Sequence, residues 1–287
     1  MHNIIVSNAT GNEIELLHND NFYKLVNIDG MSPVPSSLKS LDVETIPGEL
    51  FTTSKDSKRT LTFQFYLDSN AIDGINMLCS VFQKNQAIEI KIDDYFIEAR
   101  VETIDTNPFS DKVECQIVVQ CFYPYFKSIE RRIINTDSNI SNRLEFPVEF
   151  TMGGISLGEL ENGNTLSIYN ESNISSGCKI DLYVYSYLKH VNILNATNNS
   201  RLEIEIDNND DIINHGYVIH ADLESTRKDI TARNTLNEPY PIINYVNLEK
   251  ELFYLSPGQN MINIITDAIT ENVNVTFSYN PLKDWVM

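Results

Sequence analysis

Short runs of alternating polar and apolar residues fill most of the 287-residue sequence, and only one stretch has the period of a helix. In the run "RTLTFQFYLD", which begins at Arg59, alternate residues are apolar and share one face of a strand: Leu61, Phe63, Phe65 and Leu67. The stretch "SNAIDGINMLCSVFQKNQ" repeats apolar residues at threes and fours instead, which predicts a helix. The fold class expected from this pattern is mainly β, with one helix in the first half of the chain.

The length favours two domains, because 287 residues exceed what one ordinary core needs. For residues 1–130 we predict a β domain that contains the helix. The stretch "KSIERRIINTDSNISNR" is rich in basic and polar residues, and we assign residues 131–145 to a linker. Between residues 146 and 287, turn residues separate many short strands, which is typical of a β-sandwich or jelly roll.

The formal net charge of −19 argues against a sequence-specific nucleic-acid partner, because the average surface repels phosphate. We expect no membrane span, since no apolar run approaches the ~20 residues that one requires. The N-terminus has no basic and apolar leader, so we expect synthesis in a cytoplasm. The cysteines form no CxxC pair or Cys/His cluster and are expected to be small buried hydrophobes: Cys79, Cys115, Cys121 and Cys178.

The sequence predicts no enzyme activity, no cofactor and no metal site. It contains no HExxH, Walker loop or GxGxxG motif, and the glycines of "GGISLGELENG" lack the strand-then-helix context that would cradle phosphate. The run "DNNDDI" starts like a calcium loop, but Ile212 stands where the loop needs glycine. His215 and His220 are five residues apart, which places them on opposite faces of a strand rather than at one metal.

The stretch from Ser32 to Ser57 predicts a long loop or an extended arm. It is polar, offers few core residues and is punctuated by turn-forming residues: Pro33, Pro35, Pro47 and Gly48. Loops of this length inside compact domains are usually functional or bound to something else. This stretch is therefore a candidate for reaching a neighbouring subunit.

The first domain ends in the aromatic run "QIVVQCFYPYF". Aromatic rings bury ~150–250 Å² each, so a group of them at a strand end can close a small core. Pro124 ends the strand and turns the chain outward. We expect this domain-exit corner to close the core and set the exit of the second domain, and a core cap without any assembly role stays an equal alternative. The corner consists of Cys121, Phe122, Tyr123, Pro124, Tyr125 and Phe126.

In its order of motifs over nearly the whole chain, the sequence resembles the distal tail protein (baseplate hub) family of long-tailed bacteriophages. The motifs are the corner from Cys121 to Phe126, a terminal "VTFSYNPLKDWV", and "FYLSPGQNMINI" in the second half. The last contains the turn pattern L-x-P-G-x-N, carried by Leu255, Pro257, Gly258 and Asn260. The sequence departs from the family in Tyr123, where aspartate is frequent, and in its acidic arm.

The resemblance implies a structural virion protein whose first domains form a hexameric ring, with a galectin-like second domain projecting outward. The ring would join the tail tube to the baseplate or tail fibre, with tape-measure and receptor-binding proteins as further partners. The implied location is the tail tip or baseplate of a virion, or of a tail-like bacteriocin particle, made in the bacterial host cytoplasm. An acidic ring would let DNA pass without holding it.

Two other functions stay open at the level of sequence. One is a carbohydrate-binding adhesin that contacts a cell-surface glycan, because Tyr183, Tyr185 and Tyr187 share one face of the strand in "LYVYSY". Such a row more often belongs to a core or a plain sheet surface. The other is an accessory domain of a cell-wall hydrolase.

Overall fold

The contacts in a computed structural model of the protein divide the chain into two compact units. The first unit consists of Met1–Glu130 and Leu282–Met287, and the second of Arg131–Pro281. The second unit is therefore an insertion in the sequence of the first. The structure describes residues 3–17, 22–42, 47–67, 71–107, 113–136, 140–141, 159–160, 165–184, 188–206, 217–224, 228–233, 238–266 and 273–286.

The described part of the first unit contains a nine-stranded sheet, a two-stranded sheet and one helix. In chain order the elements are β1 (Ile4–Asn8), β2 (Glu13–Glu15), β3 (Tyr23–Asp29), β4 (Ser36–Asp42), β5 (Glu49–Asp56), β6 (Arg59–Leu67), α1 (Ala71–Val81), β7 (Ala87–Ile92), β8 (Tyr95–Thr106), β9 (Val113–Cys121), β10 (Phe126–Ser128) and, after the second unit, β23 (Leu282–Lys283).

The large sheet is antiparallel, with the strand order β2-β1-β7-β8-β9-β6-β3. The short strand β10 pairs with both β8 and β23, so the C-terminal strand joins this sheet. The predicted helix is present as α1, and Phe82 just after it packs 5.7 Å from Phe63 between ring centroids. Gly74 lets the helix approach the chain closely, because a Cβ there would lie 2.6 Å from the carbonyl oxygen of Phe22.

The stretch predicted as a loop or arm is a β-hairpin. Strands β4 and β5 form a two-stranded sheet of their own, and both are exposed along almost their whole length. The arm prediction is thus supported, whereas an unstructured loop is wrong for Ser36–Asp42 and Glu49–Asp56. The sequence did not reveal the strands, because neither face of the hairpin is buried in its own unit and the apolar alternation is weak.

Most of the regular elements in the described part of the second unit are strands. In chain order they are β11 (Arg132–Asn135), β12 (Ile140–Ser141), β13 (Glu159–Leu160), β14 (Thr165–Asn170), β15 (Lys179–Val184), β16 (His190–Asn195), β17 (Ser200–Glu205), β18 (Tyr217–Asp222), β19 (Asp229–Arg233), β20 (Pro239–Pro241), β21 (Gly258–Thr266) and β22 (Val273–Tyr279). A 3-10 helix spans Ile243–Tyr245.

Two antiparallel sheets of the second unit share one hydrophobic core. Their strand orders are β11-β22-β15-β18-β19-β20 and β14-β21-β16-β17. Leu182 and Val275 of the six-stranded sheet and Ile193 and Ile262 of the four-stranded sheet belong to the same buried cluster. Two sheets around one core make a β-sandwich. The predicted mainly β fold class is confirmed.

The expected boundaries are 1–130, 131–145 and 146–287. The pairing of strands departs from them in two places. That these ranges fold independently stays a prediction. Within the expected linker, Arg132–Asn135 is a strand that pairs with the edge of β22. At the other end, Leu282–Lys283 pairs with β10 in the first unit. In both cases the strand pairs with a partner that is remote in sequence, which the order of motifs along the chain does not reveal.

We predict that residues 131–281 fold by themselves, because the two ends of this segment pair with each other through β11 and β22. A chain limited to residues 146–281 should lose about 2 kcal/mol or more of the free energy of unfolding, since it lacks β11 and the contacts of Ile134 with the core. Urea denaturation of both chains measures the difference. Equal stabilities would show that β11 contributes nothing.

Candidate functional site

The domain-exit corner surrounds a buried arginine. Arg59 opens β6 and alternates in register with Leu61 and Phe63, so its side chain turns into the interior of the first unit. Only 1% of the Arg59 side chain is exposed. A buried guanidinium needs acceptors for its donors, because an unpaired charge in the interior is costly.

Three other segments of the first unit supply those acceptors. The Nε atom donates to the carbonyl of Pro124 at 2.6 Å. The Nη1 atom donates to the carbonyls of Gly30, at 2.6 Å, and Ser32, at 2.7 Å. The Nη2 atom donates to the carbonyl of Asp284 and lies 3.2 Å from its carboxylate Oδ1. Arg59 thereby joins the start of the arm, the domain exit and the returning C-terminal segment.

The ring of Phe126 completes the surroundings of Arg59. The guanidinium carbon lies 4.9 Å from the ring centroid, which is within the range of a cation–π contact. Burial lowers the pKa of the Arg59 guanidinium, and the charge of Asp284 opposes that change. Cys121 lies directly opposite Arg59 across β6 and β9, and burial raises the pKa of its thiol to about 12. The thiol is therefore a neutral packing group.

The aromatic residues of the corner differ in how deeply they are buried. Phe126 is fully buried in the core, whereas Phe122 is 64% exposed. Tyr123 and Tyr125 are half-buried. The expectation that four rings close the core is wrong for Phe122, since it follows the inward-facing Cys121 and points outward.

The two tyrosines of the corner lie at the root of the arm. Their rings meet edge to face, with centroids 5.4 Å apart. The hydroxyl of Tyr125 donates to Asp56, the last residue of β5, and Ser36 at the start of β4 donates to the same carboxylate. The hydrogen bond from Ser36, and then that from Tyr125, lowers the pKa of Asp56. Burial, and then the bond to Asp56, raises the pKa of Tyr125.

Arg59 and Asp284 were not predicted as site residues. A signal for Arg59 existed, because a charged residue at the inward position of an apolar strand indicates a buried ion or hydrogen-bond centre. No comparable signal marks Asp284, which is 225 positions away from Arg59. Its carboxylate also accepts from the backbone N–H of Val34 at 3.4 Å, so the C-terminal segment contacts the start of the arm as well.

The turn predicted in the second unit is held by a buried amide. Gly258 has φ +83°, a conformation that favours glycine, and Pro257 is exposed. The side chain of Asn260 is fully buried and accepts from the N–H of Ser256 at 2.9 Å. Its amide nitrogen donates to the carbonyls of Ser256, at 2.8 Å, and Gly258, at 2.9 Å.

Further buried asparagines tie this turn to the four-stranded sheet. Asn195 donates to the Oδ1 of Asn260 at 2.8 Å, and Asn170 donates to the carbonyl of Leu255 at 3.1 Å. Leu255 is itself fully buried and exchanges two backbone hydrogen bonds with Ser176. The motif from Leu255 to Asn260 therefore has a structural explanation, because its amide and carbonyl groups are occupied by internal partners.

Of the three tyrosines considered for glycan stacking, Tyr183 is 37% exposed. It lies on β15 two residues from Asp181, whose Oδ1 is 2.5 Å from His220 Nδ1. Tyr185 and Tyr187 lie outside the described residues. The position of all three tyrosines on one face of a strand therefore stays a prediction.

Within the described ranges, no group of three or more acidic, histidine or cysteine side chains is arranged to hold a metal ion. The residues of "DNNDDI" and His215 fall outside those ranges. No helix in the described part of the chain is long and apolar enough to span a membrane.

Solved structures similar to this one come from phage tails. The crystal structure of Dit (gp 19.1) of phage SPP1, described as a paradigm of the hub adsorption apparatus in phages that infect Gram-positive hosts, matches with a TM-score of 0.63 and 9% identity, covering 96% of this chain and 98% of that chain. Two structures of the phage p2 baseplate in its activated conformation, with Sr and with Ca, match over 100% of both chains with TM-scores of 0.46 and 0.44 and identities of 9% and 8%. No protein-family model and no curated protein matches the sequence. The resemblance seen in the sequence is confirmed as a similarity of fold.

Replacing Arg59 by methionine should lower the free energy of unfolding of the first unit by about 3–5 kcal/mol, because Asp284 and three backbone carbonyls lose their donor inside the protein. Arg100→Met is the matched control, since Arg100 is exposed and donates to one carbonyl. It should change the stability by less than about 1 kcal/mol. Chemical denaturation measures both, and similar small losses would contradict the central role of Arg59.

The two phenylalanines of the corner should differ sharply on truncation. Phe126→Ala should cost about 3–5 kcal/mol, the usual range for a buried aromatic residue. Phe122→Ala should stay within about 0.5 kcal/mol, because the side chain is already exposed. Thermal melts of the two variants compare them directly. A large loss in Phe122→Ala would mean that this ring packs in solution.

Proposed function

We propose that this protein is a structural hub of a phage tail, or of a tail-like bacteriocin particle, in which about six copies form a ring between the tail tube and the baseplate or tail fibre. The observation that carries the proposal is the similarity to SPP1 Dit, which covers 96% of the chain and so includes both units. A likeness of this kind concerns the fold, and the assembly is what the proposal adds.

In this proposal the first unit builds the ring and contacts the tail tube and the tape-measure protein. The second unit, a galectin-like sandwich, faces the tail fibre or receptor-binding proteins. Its position as an insertion supports such a division of labour, because both of its ends leave the first unit beside each other, through β10 and β23. We propose the tail tip or baseplate as the protein's location.

The exposed arm supports assembly with other copies. It carries four large apolar side chains with high exposure: Leu38 at 71%, Leu41 at 55%, Leu50 at 60% and Phe51 at 61%. A concentration of exposed apolar residues on a short hairpin usually marks an interaction surface. We therefore assign to the arm the contact with a neighbouring subunit.

The corner gives the arm a fixed root. Where the arm returns to the first unit, Tyr125 and Ser36 donate to Asp56. Where the arm begins, Arg59 donates to the carbonyl of Ser32. Because Arg59 also binds Pro124, the same group of contacts positions the chain where it leaves the first unit. We propose that the corner orients both the arm and the exit of the second unit.

The charge fits a hub around a DNA channel. With a net charge of −19, a ring surface repels phosphate, so DNA would slide past it rather than bind. The proposal includes no catalytic role. Glycan binding by the second unit remains the alternative, and Tyr183 is the described residue that favours it.

We predict that the protein forms a closed ring with about six times the 32.8 kDa chain mass, in native mass spectrometry or negative-stain images at high concentration. A chain in which an Asn-Gly turn replaces residues 38–54 should stay monomeric with an unchanged melting temperature, because the described residues of that segment are exposed. A wild-type protein that stays monomeric even with its tail partners would contradict the ring. Rings of the shortened chain would exclude the arm as the contact.

A further inference from the structure

The arm has two faces of opposite charge. In an antiparallel hairpin, directly opposed residues share a face and successive residues alternate between faces. The pairings of β4 with β5 therefore assign each residue of the arm to one side, except Thr52 at the bulge. The basic face consists of Ser37, Lys39, Leu41, Leu50, Thr53 and Lys55; the acidic face consists of Ser36, Leu38, Ser40, Asp42, Glu49, Phe51, Ser54 and Asp56.

The basic face has an apolar pair near the tip and two lysines between this pair and the root. Leu41 and Leu50 are directly opposed and 55% and 60% exposed. Lys39 and Lys55 lie on the root side of this pair, and both are exposed. Within the described residues, neither lysine takes part in a side-chain hydrogen bond or an ion pair. Apolar residues next to solvent-accessible charges are typical of protein interfaces, which combine an apolar core with a polar rim.

Several polar groups of the acidic face already have partners in the same chain, while its apolar residues Leu38 and Phe51 are 71% and 61% exposed. At the root, Asp56 accepts from Tyr125 and Ser36. Towards the tip, Ser40 donates to Glu49. Because the contact with Tyr125 is made from the acidic face, that face is directed towards its own unit at the root, and the basic face is directed away from it.

We infer that the basic face is the surface by which the arm docks on a second copy of this chain. The inference rests on the proposed ring and adds which side of the arm makes the contact. Charge complementarity selects the occupant, because each copy carries a net charge of −19 and two such surfaces repel each other. A contact that presents Lys39 and Lys55 reduces this repulsion, whereas the acidic face would increase it.

Nucleic acid is a poorer match for the same surface. Two lysines neutralise at most two phosphates, which gives little counterion release, and the rest of the chain repels the duplex. The apolar pair Leu41 and Leu50 would also stay uncovered on a phosphate backbone. The second copy accounts for both the lysines and the leucines.

Charge reversal of the basic face tests the inference. Lys39→Glu with Lys55→Glu should weaken association of the full chain at least about tenfold, measured by sedimentation at moderate salt, because two favourable contacts become repulsive. The difference from wild type should shrink towards 1 M salt, where the screening length falls from about 10 Å to about 3 Å. Melting temperatures should stay unchanged, since both side chains are exposed.

Two controls separate this contact from other effects. Lys39→Glu is compared with Lys250→Glu, which makes the same change in net charge at an exposed position of the second unit and should leave association nearly unchanged. Asp42→Asn with Glu49→Gln removes two of the three carboxylates of the opposite face, and this variant should associate at least as well as wild type.

The possible results are distinguishable. Weakening by Lys250→Glu equal to that by Lys39→Glu would mean that only net charge matters and would overturn the inference. Loss of association in the Asp42 and Glu49 variant, with the lysine variant unaffected, would assign the contact to the acidic face and leave the ring intact. Loss of duplex DNA binding in the lysine variant, with association unchanged, would identify another occupant. A wild type that never associates would refute the proposed ring itself.

Discussion

The buried guanidinium of Arg59 is the interaction on which the first unit depends. It accepts no bond and donates to four carbonyls and a carboxylate, contributed by the end of β3, the domain exit and the C-terminal segment. Taking this charge out of water is costly, so it is stable only while all of these segments are in place. One side chain therefore makes the arm, the exit and the chain terminus depend on each other.

The second unit closes its ends in a different way. Arg131, its first residue, is only half-buried and contacts Glu224 at 3.0 Å and Asn280 at 3.3 Å. Within the described residues its deeply buried polar side chains are uncharged, and the amides among them, Asn170, Asn195 and Asn260, pair with backbone carbonyls. Neutral amides cost less to bury than a guanidinium does. Each unit thus holds its own chain ends with its own set of hydrogen bonds.

The arm differs from these buried groups because most of it is exposed. Its root is held by hydrogen bonds from Tyr125, Ser36 and Arg59, while its strands expose apolar side chains that are only slightly buried in their own unit. Such surface is favourable only when another surface covers it. A fixed root combined with uncovered strands suits an element that is positioned in advance for association.

The sequence by itself determined the local structure: alternation predicted the strands, as in Leu61, Phe63 and Phe65, and the change of period located α1. The same alternation already pointed the side chain of Arg59 inward. Tertiary structure decided what Arg59 meets there, because Asp284 lies 225 positions away and no local pattern encodes such a contact. It also decided that Leu282–Lys283 joins the first unit and that the arm is a hairpin, since hydrogen bonds between strands depend on partners, which residue periodicity does not specify.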